Sequence, residues 1–228
     1  MAVTSSNKSN AAQNVRNNPF HHLEVDGDKY YLFNKRLIDI LSAIIGIVLL
    51  SPIFLLVALT IKLEDRNGPI FFKQVRVGKD GNEFNMYKFR SMVSNAEDKL
   101  QDLLEYNEVA GPMFKMRYDP RITRVGMFIR KTSIDELPQF FNVLKGEMSL
   151  VGPRPPLPRE VKLYTDYDKQ RLAVIPGCTG LWQVSGRNSL GFEQMVELDL
   201  KYISKRNLAL DLIIIFKTIA VVFGKNAY

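Results

Sequence analysis

Apolar positions along this chain change their period several times, and each change marks an element. Residues 40–61, inside "LIDILSAIIGIVLLSPIFLLVALTIKL", hold about twenty uncharged residues in one stretch, enough to cross a bilayer as a helix. Ser51-Pro52 sits near the middle, where proline deletes a helical hydrogen bond and the serine hydroxyl can satisfy the freed carbonyl. Lys35 and Arg36 precede the stretch and Lys62, Arg66, Lys73 and Arg76 follow it, so both ends carry the same cytoplasmic preference. Two half-helices of about 16 Å each that enter one leaflet and turn back suit that charge pattern. The alternative is a plain span with a proline kink.

Beyond residue 67 the pattern becomes that of a soluble domain. "PIFFKQVRVGKDGNEFNMYKFRSM" alternates on both sides of a Gly-Lys-Asp-Gly turn and predicts a β-hairpin. From residue 94, leucines at helical spacing behind an early acidic turn predict a surface helix. In "TSIDELPQFFNVLKG", residues 132–146, Leu137, Phe140, Phe141 and Leu144 predict another. Ser133 and Glu136 fit a capping box there, Pro138 suits the first turn, and Gly146 suits the stop. The prolines of "SLVGPRPPLPRE" predict a rigid loop around Arg154. Residues 157–176 read as helical, "PGCTGLWQVSGRN" as a Gly-rich loop, and residues 192–205 as a helix. The final apolar run, "LALDLIIIFKTIAVVF", contains Asp211 and Lys217 and predicts a helix in the membrane interface or, nearly as well, in the core. Residues 1–28 are polar, read as a flexible tail, and lack the features of a secretory signal.

Composition narrows the chemistry. The chain has 228 residues, a formal net charge of +7, one cysteine and two histidines. A disulfide framework and a Cys-rich zinc site are excluded by Cys178 standing alone, and it reads as a small buried side chain. His21 and His22 lie in the tail, so no Ser-His or Cys-His arrangement is expected. Catalysis therefore falls to carboxylates, hydroxyls, bases or a metal held by oxygen.

Asp135 and Glu136 are adjacent acids ahead of a helical pattern. Lys115, Arg117, Arg121, Arg124, Arg130 and Lys131 crowd before them, and Pro153-Arg154-Pro155 follows. Guanidinium forks grip phosphate oxygens, so this set describes a site for a phosphorylated anion. Mg2+, which takes one or two carboxylates plus substrate phosphates, would reconcile the acids with such a substrate. The same helix potential and metal would keep Asp135 ionised and able to attack phosphorus.

The run "DPRITRVGMFIRKTSIDELPQFFNVLKGEMSLVGPRP", with "YKFRSM" before it and "PGCTGLWQVSGRN" after it, resembles the bacterial sugar transferase family. These are the monotopic polyprenyl-phosphate phosphoglycosyl transferases that start exopolysaccharide, capsule or glycan assembly. The resemblance covers residues 31–228. It implies an α+β, mainly helical, membrane-associated catalytic domain: a tail (1–28), a re-entrant membrane helix (29–66) and a cytoplasmic transferase domain (67–228). It also implies transfer of a sugar-1-phosphate from a UDP-sugar, glucose or galactose, to undecaprenyl phosphate at the cytoplasmic face of the cell membrane, with release of UMP.

By that resemblance Asp135 is the nucleophile of a covalent phosphosugar intermediate, and Glu136 is tied to Mg2+ and to the acceptor phosphate. How the two acids share metal and proton is left open. Pro153, Arg154 and Pro155 match the motif assigned to the uridine diphosphate, Arg130 a phosphate contact, Lys88 and Arg90 further ones, and Ser51-Pro52 the re-entrant break. Longer members carry extra spans and a domain before this core, so the chain is expected to be a compact form. Membrane lipids are expected partners, a homo-oligomer is left open, and nucleic acid is not expected because no recognition motif is present. The rival reading is a non-catalytic membrane scaffold of a polysaccharide assembly complex, which would need neither acid.

Overall fold

The structure, a computed structural model, describes residues 28–108, 114, 116, 118–186 and 190–223. Most of the expected tail, the bases Lys115 and Arg117, and the end of the "PGCTGLWQVSGRN" stretch lie outside the described residues.

The first helix, α1 (Lys29–Glu64), is one continuous helix of 36 residues rather than two separated halves. Pro52 has no N–H to give the carbonyl of Val48, and the Ser51 hydroxyl donates to that carbonyl instead, at 2.8 Å. The helical ladder therefore survives the proline. α1 is long and apolar enough to cross a membrane, and little of its apolar middle is covered by the rest of the protein. Leu49, Leu55 and Leu56 are more than 60% exposed.

The opposite stripe of α1 packs on the domain both before and after Pro52. Arg36 donates to the carbonyls of Val143 and Leu144 at 2.6 and 2.9 Å, and Asp39 accepts from the Leu150 amide at 2.9 Å. Ala43 joins a core with Met86, Val143 and Met148. Past the proline, Val57 and Ile61 join Phe89 and Ile129, and Glu64 accepts from the Arg124 amide at 2.8 Å. Lys35 and Arg36, expected as flanking charges, are thus spent on docking the helix.

The hairpin forms as its alternation predicts, β1 (Phe71–Val77) against β2 (Glu83–Phe89). The stretch after residue 94 is a run of 3-10 turns, Asp98–Tyr106, instead of a regular α-helix. Then come α2 (Arg124–Lys131) and α3 (Gln139–Lys145), the latter ended by Gly146 at φ +83°, a left-handed turn that glycine enters at little cost. Asn142 of α3 is fully buried: its amide accepts from Tyr87 N–H and donates to the Asn85 carbonyl, capping the free edge of β2.

The segment around the proline loop holds a feature the sequence does not signal. β3 (Ser149–Val151) runs parallel to β4 (Gly177–Thr179), across the short helices α4 (Pro158–Val161) and α5 (Asp166–Lys169). These three-residue strands are too short to show a period, and the expected helix of residues 157–176 is accordingly broken into pieces. α6 (Phe192–Lys205) has the predicted bounds. α7 (Leu208–Phe223) divides the two expectations for it: Ile214 is fully buried in the core with Val196 and Leu200, while Leu212, Ile213, Phe216 and Ile219 are about half exposed or more.

Candidate active site

The two acids stand in a 3-10 turn, Ile134–Glu136, between α2 and α3. The expected capping box does not form, because Ser133 adopts φ +56° and makes no side-chain cap. A left-handed conformation costs a non-glycine residue roughly 1–2 kcal/mol, so the chain carries strain two residues before the first of the acids it presents. Ile134 secures the turn by packing against the cluster of Val57, Ile61, Phe89 and Ile129. The second half of the apolar helix thereby touches the element that carries the acids.

The adjacent carboxylates occupy different environments. Asp135 is buried, whereas the Glu136 side chain is 45% exposed and accepts from Lys88 Nζ at 2.7 Å. Burial pushes the Asp135 carboxyl up to about 6, with Glu136 adding to the rise and Lys88 and Arg130 opposing it. Burial also pulls on Glu136, but Lys88, Arg154 and Arg76 outweigh it and hold that carboxyl below its ordinary value. Sequence reading expected the helix N-terminus and a bound metal to keep Asp135 ionised; desolvation by the enclosing protein opposes that ionisation.

The Pro-Arg-Pro loop is fixed by backbone bonds on both sides. The carbonyl of Pro153 accepts from Gly177 N–H at 2.9 Å, that of Pro155 from Arg76 Nη1 at 2.8 Å, and that of Pro156 from Val77 N–H at 2.9 Å. Glycine is required at 177, where a Cβ would stand 2.0 Å from the Gly152 nitrogen. Pro153 and Pro155 are buried and Arg154 is half-buried, close enough to act electrostatically on Glu136, Arg76 and Asp199. Asp199 in turn forms a buried ion pair with Arg171.

Of the expected basic contacts, Lys88, Arg130 and Arg154 gather around the acids. Arg90 is turned elsewhere: it is buried, donating to Asp65 Oδ2 at 2.5 Å and to Ser94 Oγ at 2.9 Å, and it braces the exit of α1. Arg121 is likewise committed, to Asp119 at 2.6 Å. Burial pushes the Cys178 thiol up, as befits an inert side chain.

Arg76 is the residue that sequence reading misplaced. Counted there as a base flanking the apolar run, it is only 5% exposed on the inner face of the hairpin, the same face as Lys88. Its guanidinium donates to Gln74 Oε1 and to the Pro155 carbonyl, both neutral, and among the described residues no carboxylate stands within ion-pair distance. Burial, then the neighbouring Arg154, lowers it to about 9, while Glu160 and Glu136 oppose. The alternation of the hairpin was the available signal, since it puts residues 74, 76 and 88 on one face.

What this arrangement can do follows from its charges: Lys88 and Arg130 act on a buried carboxylate and Lys88, Arg154 and Arg76 on its neighbour, a setting that suits an anionic, phosphorylated ligand. Among the described residues no group of three His, Cys, Asp or Glu side chains forms a metal cage. Two adjacent carboxylates do fit a cation that takes its remaining oxygens from substrate and water, as Mg2+ does.

Comparison with known proteins agrees with that chemistry. The family model described as bacterial sugar transferase matches residues 30–225. The chain is 49% identical over 193 residues to the galactosyl transferase CpsE of Streptococcus agalactiae, covering 84% of this chain and 42% of the relative. It is 46% identical over 198 residues to the undecaprenyl-phosphate galactose phosphotransferase of Salmonella typhimurium, covering 85% and 41%. With the exopolysaccharide production protein ExoY of Sinorhizobium fredii it shares 42% identity over 200 residues, 86% of this chain and 88% of that one. The chain thus spans about two fifths of the first two relatives and most of the third. A match along nearly the whole chain, with Asp135, Glu136 and the Pro-Arg-Pro loop inside it, makes this protein a member of the bacterial sugar transferase family.

Proposed function

We infer that this protein transfers a sugar-1-phosphate from a UDP-sugar to undecaprenyl phosphate, releasing UMP, as the priming step of exopolysaccharide or capsule assembly. The observation that carries the reading is the pairing of a buried, strained-in carboxylate at Asp135 with the cations Lys88, Arg130, Arg154 and Arg76. Galactose is the favoured sugar, since two of the relatives are named for galactosyl or galactose transfer.

In the first half-reaction an Asp135 oxygen attacks the phosphorus that bears the sugar. An O–P bond forms as the bridging P–O bond breaks, and UMP leaves. In the second, an oxygen of undecaprenyl phosphate attacks the same phosphorus, the Asp135–phosphorus bond breaks, and the carboxylate returns as the lipid-linked diphosphosugar departs. Arg154 and Arg76, fixed through the proline loop, neutralise the diphosphate of the donor. Lys88 and Arg130 hold charge beside the reacting phosphoryl group. Glu136, the more exposed acid, receives the acceptor. Mg2+ held by Asp135 and Glu136 would supply Lewis-acid charge at the phosphoryl oxygens.

Membrane topology fits this scheme. Docking of α1 on one domain both before and after Pro52 supports a re-entrant helix whose two ends lie on the cytoplasmic face, where nucleotide sugars and the acceptor phosphate meet. The exposed apolar side of α7 would lie in the same interface.

The decisive experiment supplies labelled UDP-galactose without acceptor. Label should stay on the wild-type protein through denaturation, with matching UMP release, and be absent from Asp135→Asn. No label on the wild type would defeat the covalent route, and UMP release from a panel of UDP-sugars would fix the donor.

A further inference from the structure

An open groove of about 300 Å³ lies between the hairpin and α3, lined by Phe71, Tyr87, Pro138, Phe141 and Lys145. Phe71 and Phe141 leave 42% and 38% of their surface uncovered, although each touches a packed ring on its other side. Two features fix the groove's position. At one end, Pro138 is two residues past Glu136 and opens α3, the helix that follows the turn carrying the acids. At the other, Phe54 of α1 packs edge-on against Phe141 at 6.2 Å and against Phe89 at 5.2 Å, and Phe71 stacks on Phe89 at 5.3 Å. Phe54 is two residues past Pro52, and its neighbours Ile53, Leu55 and Leu56 are exposed apolar side chains of the membrane helix. An apolar wall therefore runs from the exposed apolar side chains beside Pro52 of α1 to the start of α3, next to the turn that carries the acids.

The lining also says what does not bind there. Its side-chain polar atoms, Lys145 Nζ and Tyr87 Oη, are bonded to each other at 2.7 Å, and the ammonium lies 4.5 Å from the Tyr87 ring centre. A sugar or a nucleobase would find few partners for its hydroxyls or amides and would lose hydrogen bonds to water on entering. Lys73 also lies over Tyr87, 5.8 Å from the ring centre, so the rim is cationic while the walls are apolar. That combination matches a molecule with an apolar chain and an anionic head.

We propose that this groove holds the first isoprene units of the polyprenyl phosphate acceptor, leading its phosphate from the membrane to Glu136. The assignment rests on the transferase reading above and adds the path by which the lipid substrate enters.

The test separates the two half-reactions on the full chain in nanodiscs. Phe71→Ala and Phe141→Ala are compared with wild type for acceptor-independent labelling from UDP-galactose, then for transfer to undecaprenyl phosphate and to a two-isoprene phosphate. Labelling should remain within about twofold of wild type, while the KM for both acceptors rises about tenfold in each variant. Phe141→Leu, which keeps an apolar wall, should recover most of the loss and guards against a folding defect. Undecaprenol, which lacks the phosphate, should compete with the acceptor in wild type and compete less in the variants. An unchanged acceptor KM with intact labelling overturns the proposal, as does competition by phosphatidylglycerol equal to that by undecaprenol, which would make the groove a site for bulk lipid. Loss of labelling in correctly folded variants also overturns it, by making the groove part of the donor site. Absence of labelling from the wild type would instead count against the transferase reading itself.

Discussion

Two clusters of buried charge in this molecule are built on opposite rules. Where α1 begins, Lys35 and Tyr31 meet Asp211 Oδ2 at 2.9 and 3.0 Å, and Tyr202 donates to Asp211 Oδ1 at 2.8 Å. Asp211 is paired with the Lys35 ammonium and surrounded by hydroxyl donors, and the nearby Asp39 accepts from the Leu150 amide, so each carboxylate of the cluster has its partners. Around Asp135 the surrounding charges are mostly positive: among the described residues Arg76 bonds only neutral acceptors, Lys88, Arg130 and Arg154 act electrostatically on the two acids, and burial pushes the Asp135 carboxyl toward its neutral form. A closed cluster fastens the apolar helix to the domain. An unbalanced one leaves positive potential for a phosphorylated substrate to satisfy.

Breaking each cluster should have a different signature. Asp135→Asn is expected to reduce transfer roughly 10⁴-fold or more, in the range found when nucleophiles are removed. The same change should raise the unfolding midpoint in detergent. Because the fold raises this pKa, ionised Asp135 costs stability: the cost is absent below the unfolded value near 4, grows as pH rises, and is complete above about 6. A destabilised Asp135→Asn would contradict the desolvation assigned here.

Asp211→Ala should do the opposite, costing about 3–5 kcal/mol because it strands the largely buried Lys35 ammonium. Thermal unfolding would show it, and a double change with Lys35→Met should recover part of the loss. Arg76→Gln is expected to lower kcat/KM for the donor by about tenfold to a hundredfold, with Arg76→Lys intermediate, and a melting curve near wild type would tie the effect to the site. Labelling by the donor, measured without added metal, should fall several-fold as pH drops through about 6, since only ionised Asp135 attacks. A flat profile down to pH 5 would mean that the attacking group is not the buried acid. Smallest is Ser51→Ala, which leaves the Val48 carbonyl without its donor and should cost about 1 kcal/mol, read from unfolding in nanodiscs.

The regions that sequence described well are those whose pattern repeats. Twenty apolar residues form a helix long enough to cross a membrane, alternation around Gly-Lys-Asp-Gly makes a hairpin, and residues 192–205 form their helix. Motif resemblance pointed to Asp135, Glu136, Arg130, Lys88 and Arg154, and the fold brings the three bases of that set close to the two acids. The capping box failed because Ser133 turns left-handed to bring the acids out between α2 and α3, a demand of the surrounding packing that no four-residue pattern carries.

Sequence by itself therefore determined the long apolar helix, the hairpin and the position of the adjacent acids ahead of a helix. Tertiary structure decided which acid is buried, that Arg90 and Arg121 are spent on Asp65 and Asp119, and that Arg76 bonds the Pro155 carbonyl of the proline loop with no carboxylate at ion-pair distance among the described residues. The reason is physical: periodicity and motif are local, whereas desolvation and charge balance are sums over neighbours that are far apart in the chain. The β3–β4 pair and the aromatic groove belong to the second kind, since each exists only where distant segments meet.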